Sequence, residues 1–299
     1  MKLFTTVSLA LLGTLLIACS PAGTTNTSQT PATATTENIV LRFAVLGDAE
    51  PKPEPQFPHL AAAVADVNQL AEQTKLDFVV GVGDIAHKGT LVQYDNATPV
   101  LQQLTLPFYP IMGNEEHVST VERFLHFAKL WNSGKATINS PRYSLEFEQF
   151  ALVLASPDFG RDFNDDGIAW LKQEITRLSP KPVLLVVHGA QQGVYQENAD
   201  KGISHAGFVS EVISQPNLRA VISGDLHMDM PRVKHSLAIN GVHYLHIPAL
   251  ERGDPPRVLV DAGHPVAEVG ETGPGHQADI AGSYHGNTHG ASRDERRGR

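Results

Sequence analysis

The sequence is poor in residues that define several protein classes. Its 299 residues include a single cysteine, which excludes an internal disulfide framework and any cysteine-rich zinc or iron–sulfur site. Lysine and arginine are also few, 23 against 32 aspartates and glutamates, and the formal net charge of −9 disfavours general binding to nucleic acid. A bound metal would have to use His, Asp, Glu and Asn side chains. With 41% hydrophobic and 18% charged residues, the chain is long enough for one large α/β domain or two small ones.

The N-terminus has the form of an export signal. Lys2 precedes an apolar run from Leu3 to Ala18, which is shorter than a membrane-spanning helix normally requires. The run ends in Leu-Ile-Ala-Cys and resembles the lipobox of bacterial lipoproteins. This resemblance implies cleavage before Cys19 and acylation of its thiol, whereas the alternative is an ordinary signal peptide that contains a cysteine. We therefore expect an exported protein, anchored through lipid to a bacterial membrane and facing the periplasm or the cell exterior.

Composition divides the chain into four segments. Residues 1–18 are the predicted signal peptide, and residues 19–37, rich in Ser, Thr and Pro, lack the apolar spacing needed to bury a face and predict a disordered tether. Residues 38–261 carry the main domain. Residues 262–299 are rich in Gly, His and Arg, with few apolar residues after Val269, and predict a low-complexity tail.

Within the main domain, short β-branched runs alternate with longer amphipathic segments, the pattern of strands alternating with helices in a layered α/β fold. The alternation of Tyr143, Leu145 and Phe147 before an apolar run predicts an antiparallel hairpin, which favours mixed sheets over purely parallel ones. Predicted strands are Ile39–Leu46, Asp77–Val82, Phe108–Met112, Tyr143–Ala155 (the hairpin), Val183–Val187, Ala220–Ser223, Val242–Ile247 and Arg257–Asp261. Predicted helices are His59–Gln73, Leu91–Leu104, Thr120–Trp131, Gly167–Leu178 and His205–Ser214.

Metal-binding residue types follow five of the apolar runs. Because the carboxyl ends of strands in open α/β sheets face a common crevice, these side chains could converge although they are far apart in sequence. Singly, a Gly-Asp or Gly-Asn pair is an ordinary turn former. Together, their oxygen and imidazole ligands predict a metal site. The residues are Asp48 and Glu50, Asp84, Asn114 with Glu115, His188, and Asp225 with His227.

The order of these residues resembles that of the calcineurin-like metallophosphoesterases, whose pattern is D-x-H, G-D-x-x-x-x-G, G-N-H-[D/E], a lone H, and G-H-x-H. The resemblance spans about Leu41 to Leu250, and the stretch from Gly83 to Gly89 matches completely. It implies an α/β (α+β) fold, a four-layer β-sandwich of mixed sheets flanked by helices, with two metal ions bridged by a hydroxide. It also implies two ligand sets that share Asp84: Asp48, Glu50, Asp84 and His227 around one ion, and Asp84, Asn114, His188 and Asp225 around the other.

Three positions depart from the family pattern. Glu50, Glu115 and Asp225 stand where the family has histidine, and Glu50 and Asp225 are ligand positions. Four ligand carboxylates would make a site with two divalent ions formally neutral, so it would attract phosphate less and acidify water less. Carboxylate-rich sites favour hard ions, and ferric iron tolerates the extra negative charge. We expect two metal ions, Mn or Fe, with Mg, Ca and Zn as alternatives.

The resemblance also implies a reaction. Glu115 stands where the family's histidine is thought to protonate the leaving group, and His117 is the alternative donor. Asn114 is the third candidate catalytic residue, in addition to its place among the ligands. The expected protein is a membrane-anchored, metal-dependent phosphoric ester hydrolase, in which the bridging hydroxide attacks the phosphorus of a small phosphorylated substrate in line. The alternative is a catalytically degenerate lipoprotein of the same fold that serves as a metal-binding, ligand-binding or structural module.

Overall fold

The computed structural model describes residues 41–52, 56–227 and 235–252, and the backbone of two further strands at 258–261 and 268–271. The predicted signal peptide, Cys19 and the tether lie outside the described residues, as does most of the predicted tail. No helix in the described part of the chain is long and apolar enough to cross a bilayer.

The described residues form eleven strands and four α-helices. The strands are β1 (Arg42–Leu46), β2 (Phe78–Gly81), β3 (Phe108–Pro110), β4 (Arg142–Glu146), β5 (Ala151–Ala155), β6 (Val183–Val187), β7 (Leu218–Ser223), β8 (Ser236–Ile239), β9 (Val242–His246), β10 (Val258–Asp261) and β11 (Glu268–Glu271). The helices are α1 (Pro58–Gln73), α2 (Leu91–Leu101), α3 (Val121–Asn132) and α4 (Asp165–Arg177), and a π-helix spans Phe208–Ile213.

The strands make two mixed sheets. The first has the order β11-β10-β1-β2-β3, in which β1, β2 and β3 are parallel and β10 and β11 are antiparallel. The second has the order β4-β5-β6-β7-β9-β8, with parallel pairing from β5 through β9 and antiparallel strands at both edges. The hairpin of β4 and β5 is the one that the alternation at Tyr143–Phe147 predicts.

Successive side chains of the central strands enter two different cores. In β1, Phe43 and Val45 pack between the sheets, whereas Ala44 and Leu46 face α1, α2 and α3. In β6, Val186 packs between the sheets, whereas its neighbour Leu185 faces α4 and the π-helix. Strands buried on both faces lack a polar side, which explains their near-continuous apolar runs. The layers follow the order helices, sheet, sheet, helices, and the predicted four-layer sandwich is confirmed.

Two strands were not predicted. Strand β8 lies at the edge of the second sheet and carries partly or fully exposed residues, and its apolar run, Leu237 to Ile239, is only three residues long. Strand β11 pairs antiparallel with β10 inside the segment that composition assigned to the tail, so the first sheet extends past residue 261. Its sequence, Glu-Val-Gly-Glu, contains one large apolar residue. The predicted helix His205–Ser214 is π-helical over Phe208–Ile213.

The loops that follow β1, β2, β6 and β7 are joined across the two sheets. The Asp48 N–H donates to the Gly83 carbonyl at 3.1 Å, and the Gly224 N–H donates to the His188 carbonyl at 2.9 Å. The Asp225 N–H donates to the Asp48 carboxylate at 3.0 Å, and this bond links the first sheet to the second. The polar loops after these four strands therefore meet at the carboxyl ends of the strands, where the sequence predicts a common crevice.

Candidate metal centre

Six of the predicted metal ligands come together with two further glutamates. Four groups of three side chains have candidate ligand atoms within 4.8 Å of one another. Asp84 belongs to three of these groups, so it occupies the central position expected of a bridging ligand. The groups are Asp48, Asp84 and His227; Asp84, His188 and Asp225; Glu50, His227 and Glu251; and Glu50, Asp84 and Glu115.

Four of the candidate ligands have left-handed backbone conformations. The φ angles are +50° at Asp48 and Asp84, +76° at Asp225 and +49° at His227. Non-glycine residues rarely occupy this region, although aspartate tolerates it better than most. Such strain persists only where the surrounding structure over-determines it, and it concentrates at functional sites. Each of these residues ends or follows a strand, so the turn aims its side chain into the crevice.

Glycines let the loops approach Asp84 and His188 closely. Gly83 has a φ of +98°, and a Cβ atom there would lie 2.8 Å from Nδ1 of His188. A Cβ on Gly113 would collide with the Asp84 carboxylate and would lie 2.6 Å from the Asp84 backbone nitrogen. Any side chain at Gly113 would therefore displace Asp84 from the centre of the cluster.

Glu116 organises two of the loops, although sequence reasoning gave it no role. It is fully buried, and its carboxylate accepts from four backbone N–H groups: Asp84 at 3.0 Å, Ile85 at 2.7 Å, Ala86 at 2.8 Å and Gly113 at 2.8 Å. Burial and the charge of Asp84 raise the pKa of Glu116 to about 7, although the backbone hydrogen bonds act in the opposite direction and lower it. The available signal was its position in the motif, because Glu116 stands where the family pattern G-N-H-[D/E] has its acidic residue.

Each histidine is oriented by a partner on Nδ1, which leaves Nε2 facing the aspartates of the cluster. Nδ1 of His188 lies 2.8 Å from the Val82 carbonyl, so Nδ1–H donates there and Nε2 faces Asp84 at 3.4 Å. Nδ1 of His227 contacts Glu251, which leaves Nε2 at 3.6 Å from Asp48. Metal-binding histidines usually donate their other N–H to a carbonyl or carboxylate in this way. Glu251, which the sequence did not reveal, reaches the site because its N–H donates to the Asp48 carbonyl at 3.0 Å.

The residues after β3 occupy different places. Asn114 Oδ1 lies 3.1 Å from Nε2 of His188, next to Asp84 and Asp225. Glu115 lies in the cluster with Glu50 and Asp84. His117 belongs to none of the groups found among the described residues; it lies near Pro157 and Asp158, and burial, outweighing the hydrogen bond to the Pro157 backbone, lowers its pKa. Of the two predicted proton donors, Glu115 lies at the cluster.

Two cations that sequence reasoning missed contact the substituted positions. Nζ of Lys52 lies 2.9 Å from Glu50 and 3.3 Å from Glu115. Nε of Arg161 donates to Asp225 at 2.5 Å. Neither cation lies in a motif, and nothing in the sequence pattern marks them.

Burial and mutual repulsion control the protonation of the carboxylates. Burial, then the charges of Asp48 and Asp84, raise the pKa of Glu50 to about 10, and burial raises the pKa of Asp48. Burial lowers the pKa of His188, but Asp84, Asp225 and Asp48 raise it well above its usual value. The charge and hydrogen bond of His188 outweigh burial at Asp84 and lower its pKa. In the metal-free protein, protons therefore neutralise charge that a metal would otherwise neutralise.

The comparisons with known proteins agree with this geometry. The family model described as calcineurin-like phosphoesterase matches residues 41–229. The chain belongs to the calcineurin-like phosphoesterases.

Curated relatives of this calcineurin-like phosphoesterase are similar over part of their length. A probable cyclic nucleotide phosphodiesterase of Psychrobacter arcticus is 24% identical over 54% of this chain and 61% of its own length. A probable glycerophosphodiester phosphodiesterase GpdQ of Arcobacter nitrofigilis is 24% identical over 42% of this chain and 45% of its own. A dimetal phosphatase of Danio rerio has the same fold, with a TM-score of 0.57 and 14% identity over 74% of this chain and 92% of its own.

The side chains of the cluster fit divalent cations. Oε2 of Glu50 and Oδ2 of Asp225 are buried, and no described residue donates a hydrogen bond to them. A buried carboxylate oxygen without a donor is costly unless a cation or a proton neutralises it. The donor set consists of carboxylate, amide and imidazole groups, which suits hard or borderline divalent metals.

Replacing Glu116 tests the organisation of the loops. In Glu116→Gln the amide NH2 would face backbone donors, so at least one buried N–H would lose its acceptor. We expect the free energy of unfolding to fall by about 2 kcal/mol, measured by urea denaturation, together with loss of bound metal. Glu122→Gln, on the exposed first turn of α3, is the matched control. Wild-type stability and metal content in Glu116→Gln would contradict this role.

Metal uptake should depend on pH. Glu50 and His188 have raised pKa values in the metal-free protein, so both carry protons at neutral pH and must lose them to bind a cation. Raising the pH removes these protons, and the apparent affinity for Mn²⁺ should increase by about tenfold per pH unit for each proton released. Titration calorimetry in buffers of different ionisation enthalpy counts the released protons. Affinity that stays constant from about pH 6 to about pH 9 would contradict this assignment.

Proposed function

We propose that this chain is a metal-dependent phosphodiesterase that holds two cations, Mn or Fe, between the loops after its parallel strands. One observation carries the proposal: two ligand groups, Asp48-Asp84-His227 and Asp84-His188-Asp225, share Asp84. A shared carboxylate between two groups is the arrangement that a two-metal site requires. Asn114 adds an amide oxygen beside the second group.

Each ligand has a defined part in this proposal. Asp48, Glu50, Asp84 and His227 hold one ion, and Asp84, Asn114, His188 and Asp225 hold the other. When bound, the two ions supply an acidified water and neutralise the negative charge that develops on the phosphoryl oxygens. Two contacts orient the histidine ligands: Glu251 contacts Nδ1 of His227, and the Val82 carbonyl accepts from Nδ1–H of His188.

The proton for the leaving group is assigned to a pair of side chains. Glu115 lies in the cluster, and its Oε2 is 2.9 Å from Nδ1 of His87. An imidazole transfers protons well near neutral pH. We propose that His87 and Glu115 together donate the proton to the leaving group. Glu115 stands in the family's histidine position, and His87 supplies an imidazole in place of the one that the substitution removed.

The substrate class follows from the relatives. Both curated relatives are named as probable phosphodiesterases, one for cyclic nucleotides and one for glycerophosphodiesters. We propose a small phosphodiester as the substrate. The location follows from the N-terminal sequence: a lipid on Cys19 would hold the domain at a bacterial membrane surface, exposed to the periplasm or the cell exterior.

Turnover and its dependence on Asp84 test the proposed function. The chain from Asn38 onward, supplied with Mn²⁺ or Fe, should hydrolyse bis(p-nitrophenyl) phosphate. Asp84→Asn should reduce kcat by about a thousandfold or more because the shared ligand loses its charge. Asp165→Asn is the control, because the Asp165 side chain at the start of α4 is fully exposed. Metal binding without turnover under any of these conditions would contradict the enzyme and favour the ligand-binding or structural alternative.

The leaving group identifies the proton donor. Glu115→Gln and His87→Ala should slow an alkyl phosphodiester by about a hundredfold while slowing an activated aryl ester far less, because only the poor leaving group needs protonation. His117→Ala, outside the cluster, should affect both substrates equally and weakly. If Glu115→Gln and His87→Ala slow both esters to the same extent, the pair does not donate the proton.

A further inference from the structure

The carboxylates that replace family histidines each contact a cation of the same chain. Glu50 and Glu115 share Lys52, and Asp225 contacts Arg161. The two aspartates that match the family pattern differ: among the described ion pairs, Asp48 and Asp84 contact histidines and no Lys or Arg. The cations therefore accompany the substituted positions.

The two cations lie on the solvent side of the carboxylates that they contact. The side chains of Glu50 and Asp225 are 0% and 1% exposed, whereas those of Lys52 and Arg161 are 40% and 38% exposed. A ligand that enters the crevice from solvent would therefore meet the cations before it meets the buried carboxylates. Their exposed portions are accessible to such a ligand.

Arg161 is held at the site by its own loop. The next residue, Asp162, accepts from the Ser204 N–H at 2.9 Å and from the Ser204 hydroxyl at 2.6 Å. On the other side Gly189, which follows the ligand His188, leaves room for the Arg161 backbone: a Cβ atom there would lie 2.8 Å from the Arg161 carbonyl oxygen. The Arg161 loop is therefore packed directly against the segment that carries His188.

Lys52 and Arg161 affect the net charge of the metal-loaded site. Four ligand carboxylates cancel the charge of two divalent ions, and Glu115 and Glu251 in the cluster add two further negative charges. A neutral or negative site attracts an anionic phosphodiester poorly. Lys52 and Arg161 offset these two negative charges and place positive charge at the mouth of the loaded site.

We propose that Lys52 and Arg161 bind the phosphate group of the substrate and replace the positive charge that the carboxylates at 50 and 225 remove. The inference rests on the proposed function and adds the residues that hold the anion. With cations bound at the cluster, Glu50 and Asp225 would serve as their ligands, and the Lys52 ammonium and the Arg161 guanidinium would be able to donate to phosphoryl oxygens. Arginine and lysine are the usual donors to phosphate.

The test separates anion binding from metal binding. Lys52→Met and Arg161→Met keep the apolar stem and remove the charge. Inorganic phosphate, titrated into the Mn²⁺-loaded protein, should bind each variant about tenfold more weakly, the loss expected for one charge-assisted hydrogen bond. Mn²⁺ should bind as tightly as to wild type or more tightly, because a repelling cation is gone. In turnover, KM should rise more than kcat falls, and Arg161→Lys should recover part of the phosphate affinity.

Two matched controls exist on α4. Lys172 contacts Glu211 at 2.9 Å with 51% of its side chain exposed, and Arg177 contacts Glu174 at 2.6 Å with 49% exposed. Lys172→Met and Arg177→Met should leave phosphate affinity unchanged.

The outcomes distinguish this inference from the proposed function. Wild-type phosphate affinity in both loaded variants would overturn the inference even if the enzyme turns over. Weaker phosphate binding in the variants would support it even if the wild type hydrolyses no ester. A wild-type protein that binds neither Mn²⁺ nor phosphate would overturn both proposals.

Discussion

Repulsion among buried carboxylates is the constraint on which this molecule depends. Asp48, Glu50, Asp84 and Asp225 are almost completely buried, and Asp84 has a carboxylate oxygen within 4.8 Å of one on each of the other three. Such a cluster is unfavourable unless protons, cationic side chains or metal ions neutralise it. The metal-free protein uses protons on Glu50 and His188 and the charges of Lys52 and Arg161. Metal ions would replace the protons.

The fold brings these carboxylates together by a simple rule. The ligand-bearing loops leave the carboxyl ends of parallel strands in two sheets, and hydrogen bonds between the loops join the sheets at that edge. Left-handed turns at Asp48, Asp84 and Asp225 then aim the side chains inward. The strain of these turns is supported by dense local bonding, in which Glu116 alone accepts from four backbone amides. The stability of the packed cores offsets the cost of a site that would not persist by itself.

The sequence allowed much of this arrangement to be predicted, because motif residues carry local signals. Asp84 lies in a complete Gly-Asp motif, and the buried strands form apolar runs, so the mixed sheets and the ligand cluster could be predicted. The four layers of the sandwich were implied by the resemblance to the family. Residues that act across the fold have no such signal. Glu251 reaches His227 only because its loop docks on the loop after β1, and Arg161 reaches Asp225 from 64 residues away. The edge strand β11 was missed because a short strand with one large apolar residue has no recognisable pattern.

The histidine-to-carboxylate substitutions at 50, 115 and 225 give the site of this family member more negative charge than the family pattern has. We nevertheless propose that the cluster holds two metal ions, one on either side of Asp84. Anomalous diffraction from crystals grown with Mn²⁺ tests it most directly. The account predicts two peaks, roughly 3.5–4 Å apart, both contacted by the Asp84 carboxylate. A map with no peak at the cluster, or with a single peak that Asp84 does not contact, would contradict it.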